Sequence, residues 1–77
     1  MDWNDIDNIL FNGTKEEIES LKCPECENNI FVRISVEYQE ILIKCEKCGI
    51  IIKGHGLHEI PNAYRFFGKE FYSKAKT

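Results

Sequence analysis

The chain contains no long apolar run and little that would break or loosen a folded backbone. Two prolines and five glycines in 77 residues exclude collagen-like, Pro-rich and Gly-rich architectures. No segment approaches the roughly 20 apolar residues that cross a bilayer. The opening Met1-Asp2-Trp3-Asn4-Asp5 is acidic where a secretory leader is basic, with no apolar core behind it, so a cytoplasmic, reducing setting is the expectation. Internal repeats beyond two short cysteine pairs and low-complexity tracts are also missing. So are a Ser/His/Asp set, a His-Glu-x-x-His helix and a Gly-rich phosphate loop. Acidic residues are plentiful, but no pair is marked by spacing as catalytic, and a non-enzymatic protein is expected.

What is present is a globular composition, 43% hydrophobic and 12% aromatic, on a chain long enough for one domain, 1–77. At this size a hydrophobic core alone supplies little margin of stability, so a staple is expected. The four cysteines can provide it as two disulfides or as one metal site, and a reducing compartment favours the metal. Charge is unevenly spread. Residues 1–22 carry six acids and two lysines, residues 23–60 six acids and four bases, and residues 61–77 four bases and Glu70. The protein is therefore acidic with one basic end.

Trp3, Ile6, Ile9 and Leu10 share one helical face, and Asn12-Gly13 can end that helix, Gly13 tolerating a positive φ. Thr14 and Glu17 have the spacing of a capping box for a second short helix with Ile18 and Leu21 inward, so that 1–21 forms an acidic helical segment. From Ile30 the pattern alternates. Ile30, Val32, Ile34 and Val36 face one way, and Phe31, Arg33, Ser35 and Glu37 the other, as in a strand with one wet face. Ile41 and Ile43 continue the pattern after a turn near Tyr38-Gln39-Glu40, and Ile50-Ile51-Ile52 reads as a third strand interrupted by Gly54 and Gly56. Pro61 opens a C-terminal helix, 58–77, carrying Ala63, Tyr64, Phe67, Phe71 and Tyr72 at near-helical spacing, which Gly68 weakens.

Cys23-Pro24-Glu25-Cys26 and Cys45-Glu46-Lys47-Cys48 are separated by 18 residues. Two intervening residues let a tight turn aim both sulfurs at one point, and the insert is long enough for a hairpin that brings the two turns together. Four sulfurs in a tetrahedron suit zinc, and iron fits the same cage. In these motifs the chain resembles the zinc ribbon family over residues 22–56. The resemblance implies a three-stranded antiparallel ribbon (22–57) carrying one structural zinc on Cys23, Cys26, Cys45 and Cys48; with the acidic N-terminal helices and the aromatic C-terminal helix on either side, the expected fold is α+β. Gly49 matches the family's glycine after the second knuckle, whereas Glu27 stands after the first. That knuckle is expected to use another turn geometry or to place Asn28 in the left-handed region. Rubredoxin-like electron transfer is the iron alternative; glycine after both knuckles and a longer insert would favour it, and neither is present.

His55 and His58 are read as loop residues, four sulfurs sufficing for the metal. Five of the nine aromatics, Tyr64, Phe66, Phe67, Phe71 and Tyr72, fall within nine residues. Phe67 and Phe71 suit a cover for the sheet, while Tyr64, Arg65, Phe66, Lys69 and Tyr72 are the candidate surface for a protein partner. The leading expectation is thus a zinc-stabilised protein-interaction module. The alternative is a nucleic-acid-binding ribbon using Arg33, Lys44, Lys53, Arg65 and Lys69, which an acidic body opposes. A third reading, an acidic inhibitor or immunity-type partner, rests on charge alone.

Overall fold

The computed structural model describes residues 2–74, in the order α1 (Trp3–Asn12), α2 (Lys15–Glu19), β1 (Phe31–Ser35), β2 (Glu40–Lys44), β3 (Ile51–His55), α3 (Asn62–Phe67) and β4 (Glu70–Tyr72). The fold is α+β, with one antiparallel sheet in the order β3-β2-β1-β4. The sheet therefore has four strands, not the three expected. No described helix is long and apolar enough to cross a membrane.

Both N-terminal helices begin with a reciprocal cap. Thr14 accepts from the Glu17 N–H, and Glu17 accepts from the Thr14 N–H, as its spacing announces. Asp2 and Asp5 do the same for α1, with a carboxylate in place of the usual hydroxyl. Gly13 is not in the left-handed region. Its φ is −78° and ψ 169°, and the need for glycine is one of space, because a Cβ there would lie 2.6 Å from the Ile9 carbonyl oxygen.

Ile6, Leu10, Ile18, Leu21 and Ala63 pack from the helical layer onto Val32, Ile34, Ile41 and Ile43 of the sheet, all buried. The alternation in β1 and β2 is thus the boundary between core and outer face. Val36 lies past the end of β1 and is exposed. The turn falls at residues 36–39, with Gln39 at φ 55°. β3 runs through Gly54, which pairs with Ile41; a Cβ at Gly54 would come within 2.9 Å of Ile41 Cγ2.

The C-terminal helix is much shorter than expected. α3 stops at Phe67, Gly68 takes φ 82° and ψ −151°, and the chain returns as β4 against β1; residues 75–77 of the expected helix lie outside the described residues. The physical reason is that Phe67 and Phe71 need not share a helix to share a face. One ends α3, the other sits on β4 opposite Val32, and their rings stack at 4.7 Å over the core. The Ser73 hydroxyl accepts the Ile30 N–H at 3.0 Å and the Lys74 N–H donates to the Glu19 carbonyl at 2.7 Å, tying the tail to both layers.

Candidate metal centre

The two cysteine pairs form the same turn twice. In the first, the Glu27 N–H donates to the Cys23 carbonyl at 2.8 Å and the Cys23 N–H to the Asn28 carbonyl at 2.9 Å. In the second, the Gly49 N–H donates to the Cys45 carbonyl at 2.9 Å and the Cys45 N–H to the Ile50 carbonyl at 3.0 Å. Glu27 itself occupies the left-handed region, at φ 59°, as Gly49 does at 73°. The first knuckle thus has the geometry of the second, and the expected displacement to Asn28 is not found. The Glu27 side chain takes an ion pair with Lys22 at 3.0 Å.

β1 leaves the first knuckle and β2 enters the second, and their pairing, with Phe31 opposite Lys44, brings the turns side by side. Cys23 Sγ lies 3.5 Å from Cys48 Sγ, Cys26 Sγ 3.3 Å from Cys45 Sγ and 3.9 Å from Cys48 Sγ. All four sulfurs are within 4.8 Å of one another. Four thiolates about 2.3 Å from a central ion would sit about 3.8 Å apart, so the cluster fits a tetrahedral site with small adjustments. The cysteines are free thiols. Among the described residues this is the one group of three or more His, Cys, Asp or Glu ligands arranged to hold an ion.

The sulfurs are not electrostatically equivalent. Cys26 is drawn down to about 6 by hydrogen bonds from the Asn28 side chain and then its backbone N–H. Cys23 is raised, chiefly by burial. Cys48 is pushed up to about 12, first by loss of water around its sulfur and then by the sulfurs of Cys23 and Cys45. Four like charges in this volume cannot coexist without a cation among them. Metal binding there would release protons from the thiols the cluster otherwise keeps neutral.

The histidines stand apart. His55 is on β3, its Nδ1 3.9 Å from Glu40 Oε1, and His58 follows in a loop; together with Asp7, Phe11, Ile41 and Leu57 they line a cavity of about 420 Å³. The candidate partner residues are divided between two sides of the sheet. Tyr64, Arg65 and Phe66 are on α3, with Lys69 just beyond, and Phe66 is 45% exposed. Tyr72 neighbours Phe71 on β4, so it points away from the α3 side, packs its ring against Phe31 in a tilted pair with centroids 5.1 Å apart and donates to Glu46 Oε1 at 2.8 Å. Of the basic residues, Arg33, Lys44 and Lys53 share that outer face, while Arg65 and Lys69 do not. The grouping of Phe31 with Tyr72 has no signal in the sequence, because it needs the β4 pairing. Comparison of the chain with family models, with curated proteins and with solved structures finds no match.

Proposed function

We propose that the chain is a non-enzymatic, zinc-ribbon-type interaction module, in which one structural zinc on Cys23, Cys26, Cys45 and Cys48 holds the sheet and the surface contacts another protein. The four-sulfur cluster is the observation that carries this reading. A complete thiolate shell leaves no coordination position for water or substrate, which favours a structural ion over a catalytic one. Zinc is preferred to iron because the rubredoxin pattern places glycine after both knuckles and a longer insert between them, whereas here Glu27 follows the first knuckle and the insert is 18 residues. The knuckles sit where the ends of β1 and β2 meet, so an ion there would clamp the two central strands.

Elemental analysis of the purified protein, with circular dichroism followed during chelation, tests the site. One zinc per chain and loss of helix and sheet signal on its removal are expected, since structural zinc contributes about 10–16 kcal/mol of apparent binding free energy and a core this small only about 3–5. Iron in the cage, or a folded protein without metal, overturns the assignment. The protein-partner reading rests on the α3 surface, where Arg65 and Phe66 are exposed beside half-buried Tyr64. Aromatic and Arg anchors dominate such interfaces. Tyr64→Ala and Phe66→Ala should each weaken association by more than about 1 kcal/mol while folding is retained; unchanged association rejects that surface.

A further inference from the structure

The helices cover only one face of the sheet. On the other, the register places Ile51, Lys44, Phe31 and Tyr72 in one row across the four strands, and Lys53, Leu42, Arg33 and Glu70 in the next. None of these residues is buried, and the face is aromatic at the β1–β4 side and basic toward β2 and β3. Among the described residues, Glu70 is the carboxylate of this face that is paired with a permanent cation. Glu70 takes both Arg33 Nε and Nη2, at 3.0 and 2.8 Å, Glu46 accepts the Tyr72 hydroxyl, and Glu40 lies toward His55. Lys44 and Lys53 are diagonal neighbours on adjacent strands, and among the described residues neither has a carboxylate within ion-pair distance.

We propose that this uncovered sheet face binds single-stranded nucleic acid, with bases stacking on Phe31 and Tyr72 and phosphates taken by Lys44 and Lys53. The inference goes beyond the protein-partner reading, concerns the other side of the molecule and does not depend on it. An exposed ring, Tyr72, beside a half-buried one, Phe31, with cations next to them on an open sheet, forms a stacking platform for unpaired bases, which a duplex keeps stacked on one another. Two magnitudes answer the obvious objections. Lys44 Nζ now lies 5.0 Å from the Phe31 ring centre, but an exposed cation–π contact is worth about 0.5–1 kcal/mol, less than the roughly 1–3 kcal/mol of a stacked base. The acidic helices pack on the opposite face of the sheet, and exposed charges separated by more than a Debye length, about 8 Å at physiological salt, are largely screened from one another.

The test is fluorescence anisotropy with a labelled thymidine strand of about 12 nucleotides, its duplex with an adenine strand, and a labelled polyglutamate peptide, titrated with metal-loaded protein over a range of salt. The single strand should bind more tightly than the duplex. Phe31→Ala and Tyr72→Leu should each weaken it about 5- to 150-fold. Lys44→Gln and Lys53→Gln should each reduce the slope of log K against log salt by about 0.7. Circular dichroism and metal content confirm that each variant is folded; if Phe31→Ala fails that control, Tyr72→Leu and the lysine variants carry the test. Absence of binding at low salt, equal affinity for duplex, or folded ring variants that bind as before would each overturn the proposal. Equal or tighter binding of polyglutamate would do so too, and would mark the face as a site for an acidic protein.

Discussion

The two knuckles differ at one backbone position, and that difference can be weighed. Gly49 and Glu27 have matching hydrogen bonds and nearly the same φ, yet one is the residue suited to the left-handed region and the other is not. A Cβ on Gly49 would meet nothing within 4 Å, so Gly49→Ala carries no steric cost beyond its own backbone. That backbone cost is about 1–2 kcal/mol for a side chain in the left-handed region. The stiffer unfolded chain returns about 0.4–1 kcal/mol, leaving a net loss of about 1 kcal/mol. Because folding and metal binding are linked, this should appear as about a fivefold fall in apparent metal affinity, read by competition with a chromophoric chelator. Glu27→Gly reverses the same terms. It relieves the strain, loosens the unfolded chain and removes an ion pair whose partners are 46% and 69% exposed, worth about 0–1 kcal/mol. The net should lie within about 0.5 kcal/mol of zero. Unchanged or higher affinity for Gly49→Ala would refute the claim that the second knuckle depends on its glycine.

Gly13→Ala should destabilise by about 1–3 kcal/mol through crowding, because its Cβ would strike the carbonyl oxygen that accepts the Gly13 N–H at 2.7 Å; a urea titration showing higher stability would place the residue among ordinary extended positions. Ser73→Ala should cost about 1–3 kcal/mol, since it strands the buried Ile30 N–H. The same measurement on Ser35→Ala, whose hydroxyl accepts from Tyr38 at an exposed turn, should show a smaller loss.

The parts of the fold legible in the sequence are those specified by neighbours a few residues apart. Thr14 and Glu17 mark a helix start by themselves, Ile30, Val32 and Ile34 mark a strand, and each cysteine pair defines its own turn. The convergence of the pairs follows because a hairpin is the short route across their insert. Long-range choices are not legible. Phe67 and Phe71 are four apart, which a helix explains and which a helix end followed by a strand explains equally well. The deciding contact, β4 on β1, joins Arg33 to Glu70. Glu27 shows the opposite limit: its conformation is local, but its identity does not advertise a positive φ, and the turn imposes it. Asp2 is hard to read as a cap because its partner at the third helical position is Asp5, not the Glu or Gln of the usual box.

Gly68 is where the C-terminal segment divides between the two surfaces, so one substitution there should disturb both. Its N–H closes α3 on the Tyr64 carbonyl at 2.8 Å, and the next residue's carbonyl already accepts the Ile34 N–H at 2.8 Å. Helix therefore becomes sheet within a single residue. The required φ of 82° and ψ of −151° lie in a region essentially confined to glycine, where another residue costs about 1–3 kcal/mol. A Cβ at this position would have nothing within 4 Å, so Gly68→Ala meets no clash that a neighbour could relieve by moving. Either α3 must fray at Tyr64 or β4 must lift from β1. Lifting would separate Tyr72 from Phe31 and Glu46. Amide hydrogen exchange resolves the effect: Ile34, Gly68 and Ser73 should lose protection while Leu10 and Gly13 in the N-terminal layer keep theirs. An alanine variant with wild-type protection at Ile34 and Ser73 would show that the return to the sheet does not need glycine, and that the two surfaces are set independently.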